Sequence, residues 1–203
     1  MKITNSISNI SFEKRLISNC SVLNKKGNKE ACRIYQLEKG IDKNYIVSAN
    51  NFFDWAGSNY LYLLSMALQP ESKIRLGDVY AIETKNGDFL GFSQVFDDEI
   101  KNQDELFIGF LETVPTSTKI RRRFNQEYRY VGETMISFLT KIAQQQGKKS
   151  ITASPISEAK KFYTKKCFFD KKSLYGVSLP HKNFSKLCEQ NKNHTNSEIE
   201  ILV

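Results

Sequence analysis

The sequence predicts an α/β (α+β) fold in which helices pack against a mixed β-sheet. Three observations indicate it: a β-hairpin over residues 79–96, an amphipathic helix over residues 131–143, and the order in which strands and helices follow one another. That order is hairpin, strand, helix, strand, helix, strand. Alternation of this kind is typical of a sheet with helices on its faces.

The hairpin is the clearest local signal. Residues 79–83 and 89–96 are rich in branched and aromatic side chains, and they flank the turn Lys85-Asn86-Gly87-Asp88. An Asn-Gly pair suits the positive φ of a tight turn. Residues 106–115 predict the next strand, which a proline ends and in which Gly109 would permit a bulge.

The remaining elements follow from the same periodicities. In the helix over 131–143 the apolar side chains fall on one face, and Gly147 lies just beyond its end. Further strands are predicted over residues 32–37, 150–154 and 174–179, and further helices over residues 51–69 and 157–166.

Composition limits the class of protein. A chain of 203 residues can bury a sizeable core, and 40% hydrophobic and 26% charged residues are typical of a soluble domain. The apolar runs are too short to span a bilayer and no secretory signal is visible, so we expect a cytoplasmic protein with no membrane partner. We expect an N-terminal extension over 1–30, the main domain over 31–188, and a mobile C-terminal tail over 189–203.

The four cysteines do not indicate a metal site. They have no C-x-x-C spacing and only two histidines could join them, so no metal is predicted. We expect reduced thiols, with Cys32 and Cys167 partly buried. A nucleophilic role stays open, but a buried thiol more often acts as a small apolar side chain.

Three short segments between Leu111 and Phe168 carry a sharper signal. They are Leu111-Glu112-Thr113-Val114-Pro115, Arg129-Tyr130-Val131-Gly132-Glu133-Thr134 and Ala159-Lys160-Lys161-Phe162-Tyr163-Thr164-Lys165-Lys166-Cys167-Phe168. In this order they resemble the central strand, the coenzyme A loop and the fourth-helix end of the GNAT superfamily of N-acyltransferases. The resemblance covers residues 32–179 in element order. It implies a GNAT-like mixed, mostly antiparallel central sheet flanked by helices, and an enzyme that uses acetyl-coenzyme A (acetyl-CoA).

The second segment is similar to the family's pyrophosphate-binding loop. The first amides of a helix have no intrahelical acceptor, the helix dipole favours an anion there, and glycine allows a close approach. The resemblance therefore implies cofactor binding at Arg129, Tyr130, Val131, Gly132, Glu133 and Thr134, where Thr134 replaces the family's glycine or alanine. It also implies a main-chain contact near Thr113 that stabilises the oxyanion.

The third segment carries the candidate catalytic acid. In the family its tyrosine commonly protonates the departing thiolate, which assigns that role to Tyr163. A phenol with a pKa near ~10 stays protonated at neutral pH and can serve as such a donor. Cys167 replaces the family's glycine, and Ile156 stands where many members have asparagine. The alternative interpretation of Tyr163 is an aromatic side chain that packs with its neighbours.

The attacking ammonium must lose a proton, so a carboxylate near the central strand is the natural base. Glu112 and Glu105 are the candidates, and either could instead be a surface carboxylate. The net charge of +8 favours an anionic partner, a preference that coenzyme A, nucleic acid and anionic membranes all satisfy. Arg121, Arg122 and Arg123 could bind the 3′-phosphate of coenzyme A or face tRNA, or be a solvated loop.

The first functional hypothesis is direct transfer of an acetyl group from acetyl-CoA to a primary amine on a small molecule, peptide or protein. The second is a toxin-like acetyltransferase of aminoacyl-tRNA, for which the basic balance and the triple arginine Arg121-Arg122-Arg123 are the only support. The third is a catalytically degenerate GNAT-fold binding module. A homodimer is also open. The aromatic helix over 51–69 lies where family members often build the acceptor pocket, although such a stripe is more often core.

Overall fold

A computed structural model describes residues 14–39, 66, 69–73, 77–97, 104–113, 128–172 and 176–202 of the chain. The predicted helix over 51–69 therefore lies outside the described residues, apart from helical Met66 and from Gln69. Arg121, Arg122 and Arg123 lie outside them as well.

The described strands form one sheet. They are β1 Arg15–Asn24, β2 Lys29–Leu37, β3 Asp78–Thr84, β4 Phe89–Asp97, β5 Glu105–Thr113, β6 Tyr128–Arg129, β7 Ser150–Ala153, β8 Asp170–Lys171, β9 Val177–Pro180 and β10 Glu200–Ile201. The order across the sheet is β10-β1-β2-β3-β4-β5-β7-β9-β8, and β6 pairs with β1. The β5–β7 pair is parallel and the other described pairs are antiparallel. The predicted mixed, mostly antiparallel sheet is confirmed.

The hairpin and the bulge occur where the sequence predicts them. β3 and β4 pair antiparallel, and Gly87 has a φ of 90° in the turn between them. The register between β4 and β5 shifts from Gln94↔Phe110 to Val95↔Ile108, which leaves Gly109 as the extra residue. A Cβ there would lie 2.5 Å from a ring carbon of Phe96, so the bulge also requires glycine for space.

One face of the sheet is covered by the helix α1, Val131–Gln145. The ring of Phe138 meets Tyr80 of β3 edge-on at a centroid distance of 5.0 Å. The predicted apolar face of α1 is buried in full. Its members are Val131, Met135, Phe138, Leu139 and Ile142. The described helical segments that follow α1 are a π-helical turn at Phe162–Lys166, a 3₁₀ turn at His181–Asn183, and the helix α2, Phe184–Thr195.

The two ends of the chain add elements to the same sheet. Within the predicted N-terminal extension, β1 pairs with β2 along most of its length. Within the predicted tail, residues 189–195 continue α2, and β10 pairs with β1 at Ser18↔Ile201. These parts of both segments are therefore built into the sheet and its helical layer.

None of the described helices is long and apolar enough to span a membrane. The described part of the chain also lacks any group of three or more His, Cys, Asp or Glu side chains that could hold a metal ion.

Candidate active site

The strands β5 and β7 separate before β5 ends. They pair in parallel from Glu105↔Ser150 to Ile108↔Ala153, where β7 stops. β5 continues to Thr113, and its other edge stays paired with β4 as far as Gly91↔Thr113. Along residues 109–113, no described strand pairs with the edge of β5 that had faced β7. The sheet therefore opens beside the last part of the predicted central strand.

The second predicted segment forms the start of α1. The backbone turns at Tyr130, whose φ of 67° is left-handed, and no side chain caps the helix at this residue. The first helical hydrogen bond runs from the Thr134 N–H to the Tyr130 carbonyl at 2.8 Å. The amides of Val131, Gly132 and Glu133 precede it and have no acceptor within the helix. An uncapped helix start with three such donors has the chemistry that a pyrophosphate requires.

All three predicted segments meet at Gly132. A Cβ placed on this residue would lie 3.0 Å from Cζ of Phe162 and 3.6 Å from Cγ2 of Thr113. Gly132 is not among the residues with positive φ. A side chain here would be in tight contact with the Phe162 ring, and the structure brings the strand end, the helix start and the aromatic turn to one point.

The third segment widens into a π-helical turn. The Cys167 N–H lies 3.2 Å from the carbonyl oxygens of both Phe162 and Tyr163, and the first of these contacts spans five residues. Single π-helical turns are frequent at functional sites. The ring of Tyr163 packs edge-on against Phe162 and Phe169, with centroid distances of 5.3 and 5.1 Å.

Tyr163 combines a buried ring with an unpaired hydroxyl. The residue is 6% exposed, and its hydroxyl has no hydrogen-bond partner among the described residues. Burial raises the pKa of Tyr163 well above its ordinary value, so the phenol keeps its proton at neutral pH. The side chain is therefore a neutral donor, as an acid in thiolate release would be.

Cys167 stands where the resemblance expects a glycine, and its backbone does not require one. The left-handed residue of this turn is Phe168, the residue after it. Cys167 has a φ of −112°, whereas Phe168 has a φ of 59°. The Phe168 carbonyl accepts a hydrogen bond from Asn183 Nδ2 at 3.2 Å, and Nζ of Lys186 lies 4.2 Å from the centre of the Phe168 ring. These contacts hold a conformation that a phenylalanine rarely adopts.

The two candidate bases lie at opposite ends of β5. Glu112 pairs with Phe92 and adjoins Thr113, so it belongs to the open end of the strand. Glu105 begins the strand, and its carboxylate lies 2.7 Å from Nζ of Lys172. Eight residues of strand separate Glu105 from Thr113 by about 26 Å. Of the two candidates, Glu112 therefore lies in the part of β5 beside the opening, and Glu105 lies at the other end of the strand.

Thr134 does not join the three free amides. Its N–H is used within the helix, and its side chain is fully buried. The hydroxyl lies 3.4 Å from the Ser21 carbonyl of β1 and accepts a hydrogen bond from Asn191 Nδ2 of α2 at 3.0 Å. Arg129, by contrast, is exposed just before the helix.

Sequence reasoning missed the contribution of α2. Gln190 and His194 both contact the carboxylate of Glu133, which lies in the first turn of α1. The signal was present as Leu187, Asn191 and Thr195, which recur at helical spacing and are all buried. Two of these three residues are polar, so they do not stand out as a hydrophobic stripe.

No protein-family model matches this sequence, and no curated protein sequence matches it significantly. A predicted acetyltransferase from Exiguobacterium sp. 255-15 matches 76% of this chain and 97% of its own, with 11% identity and a TM-score of 0.52. The GNAT domain of S. lividans PAT matches 80% and 96%, with 10% identity and a TM-score of 0.48. A GNAT acetyltransferase from Brucella melitensis in complex with acetyl-CoA matches 73% and 87%, with 12% identity and a TM-score of 0.44. The chain has the fold of the GNAT superfamily of acetyltransferases.

Proposed function

We propose that this chain is an N-acetyltransferase that transfers the acetyl group of acetyl-CoA to a primary amine by direct attack. The observation that carries the proposal is the meeting of Thr113, Gly132 and Phe162 at the opening between β5 and β7. Each belongs to a different segment that the sequence relates to the reaction.

The amides of Val131, Gly132 and Glu133 are proposed to bind the pyrophosphate, with Arg129 exposed beside them to add positive charge. Acetyl-CoA supplies an activated thioester, and the remaining chemistry falls to the protein. A main-chain N–H near Thr113 is proposed to bind the carbonyl oxygen as negative charge develops there. This contact favours the transition state over the bound ground state.

Two side chains are proposed to move protons. Glu112, directly or through water, accepts the proton that the attacking ammonium must lose. Tyr163 donates its phenolic proton to the departing sulfur, which is consistent with the neutral form that burial favours by raising its pKa. The acid and the base thus approach the reacting atoms from different elements, Tyr163 from the π-helical turn and Glu112 from the strand.

The direct test is whether the chain binds acetyl-CoA. A ligand that binds only the native state at a hundredfold excess over its Kd stabilises that state by about 2.7 kcal/mol. We expect acetyl-CoA to raise the thermal unfolding midpoint and to give a saturable heat in calorimetry. Release of free thiol in the presence of a panel of amines would then identify the acceptor. No thermal shift and no heat at millimolar acetyl-CoA would refute the assignment and leave a GNAT-fold binding module.

A further inference from the structure

The first turn of α1 carries an acidic side chain in an unfavourable place. The backbone N–H of Glu133 is one of the three proposed to bind phosphate. A carboxylate that pointed at the same place would repel the phosphate. The Glu133 side chain is buried, with only 4% of the residue exposed. Oε1 lies 2.7 Å from Nδ1 of His194 and accepts a hydrogen bond from Nε2 of Gln190 at 3.0 Å. Both partners belong to α2, so α2 holds this carboxylate through two contacts.

The same imidazole supports the residue before the amides. The ring of Tyr130 stacks on His194 with a centroid distance of 4.6 Å and an angle of 21° between the planes. Tyr130 needs such support because its φ of 67° is unfavourable for a residue with a Cβ. One side chain of α2 therefore contacts both residues that flank Val131 and Gly132.

Gln190 extends the connection to the π-helical turn. Its Nε2 also donates to the Lys166 carbonyl at 2.8 Å, at the end of the turn that carries Tyr163. α2 thus binds both the start of α1 and the end of the aromatic turn. These are the two elements that meet at Gly132.

We propose that His194, assisted by Gln190, is a positioning residue for phosphate binding: it fixes Tyr130 and Glu133 so that the amides between them point at the pyrophosphate. The inference deepens the proposed function and depends on it. His194 acts through the two residues it contacts and does not touch the ligand.

The test compares two ligands that differ in the pyrophosphate. Coenzyme A contains it, and pantetheine, the thiol-bearing part of coenzyme A, lacks it. We expect His194→Ala to raise the Kd of coenzyme A about tenfold in calorimetry, as the loss of a charge-assisted contact would. The KM of S-acetylpantetheine as acyl donor should not change. A residue that merely stabilises the fold would weaken both ligands together.

Two conservative variants separate the two contacts of the imidazole, the stacking on Tyr130 and the contact with Glu133. His194→Phe keeps a ring that stacks on Tyr130, and His194→Asn keeps a short hydrogen-bond donor for Glu133. Each should recover part of the affinity that His194→Ala loses. They also keep the test decisive if the alanine variant folds poorly. The matched control is His181→Ala, the chain's other histidine, which packs on Phe184 at the opposite end of α2 and should leave the Kd unchanged.

The outcomes separate this inference from the proposed function. If wild-type protein does not bind coenzyme A, the proposed function fails. If wild-type protein binds it and the His194 variants bind it equally well, the function stands and the positioning role is wrong. Equal losses for coenzyme A and S-acetylpantetheine would also overturn the positioning role, since the effect would then not concern the pyrophosphate.

Discussion

At the scale of single residues, the proposed chemistry assigns the acid to Tyr163. Replacing it with phenylalanine keeps the ring that packs between Phe162 and Phe169 and removes only the hydroxyl. General acid catalysis contributes roughly 100-fold to 10,000-fold, so kcat should fall by about that factor while the KM for acetyl-CoA changes little. Steady-state kinetics with an acceptor found in the amine panel measures both. Wild-type turnover in this variant would show that Tyr163 only packs.

Ser137 gives a prediction about stability alone. Its hydroxyl is buried in the middle of α1 and lacks a hydrogen-bond partner among the described residues. An unsatisfied buried hydroxyl is costly, and alanine is a better helix former than serine. Ser137→Ala should stabilise the fold by about 1 kcal/mol, which raises the unfolding midpoint by ~2–4 °C for a chain of this size. Thermal unfolding measures the shift.

Thr140 provides the control for this substitution. It is buried one turn further along α1, but its hydroxyl donates to the Ile136 carbonyl at 2.8 Å. Thr140→Ala should therefore gain nothing and lose a satisfied contact. A Ser137→Ala variant as unstable as this control would mean that the serine hydroxyl is paired after all.

Residue patterns identify the candidate segments but not the tertiary contacts between them. The Phe162 ring lies 3.0 Å from where a Cβ of Gly132 would be, and no local pattern contains this contact. Thr134 was grouped with the binding amides because it belongs to the motif. Its side chain instead binds β1 and α2, elements more than fifty residues away in opposite directions. Such contacts depend on tertiary packing and are not visible in a short segment.

At the scale of elements, β5 carries both proposed bases, Glu112 near its open end and Glu105 at its start. Glu112→Gln keeps the size of the side chain and removes its ability to take a proton. We expect a loss in kcat of roughly 100-fold or more, since this is the usual contribution of a positioned base. Glu105→Gln is the matched control on the same strand, where its loss breaks only the ion pair with Lys172. Exposed ion pairs contribute little, so this control should keep wild-type kcat.

Equal losses in both variants would exclude a specific role for Glu112. An unchanged kcat in Glu112→Gln would assign proton removal to water.

The elements that were predicted well are those whose signals are local. The β3–β4 hairpin has an Asn-Gly turn, and α1 has an apolar face of regular spacing. The contributions of β1 and α2 were missed for a shared reason. β1 buries small polar residues such as Ser18 and Ser21 along with its apolar ones, and α2 buries Asn191. Polar residues that are buried through specific hydrogen bonds look like surface in a sequence.

At the scale of the whole molecule, one large sheet places thiols in its interior. Three of the four cysteines are buried: Cys20 and Cys32 face each other across β1 and β2, and Cys167 ends the π-helical turn. The hydrogen bond with Cys32 and burial raise the pKa of the Cys20 thiol well above its ordinary value. Burial raises the pKa of the Cys167 thiol well above its ordinary value, and the nearby charge of Glu133 is a smaller second cause. The Cys20 and Cys167 thiols are therefore neutral in the folded protein, and a thiol must ionise to react.

The raised pKa values predict that stability falls in alkaline solution. Above about pH 9 a cysteine in the unfolded chain loses its proton, whereas buried Cys167 keeps it, so the unfolded state binds fewer protons and the free energy of unfolding decreases as pH rises. Below that pH the full stability is present. Each such group contributes a slope of about 1.4 kcal/mol per pH unit. Chemical unfolding of wild-type protein and Cys167→Ala between pH 8 and 11 measures it. The free energy of unfolding of the variant should decrease less steeply with pH than that of wild-type protein, by about 1.4 kcal/mol per pH unit. Parallel curves would show that Cys167 ionises as readily in the folded chain as in the unfolded one.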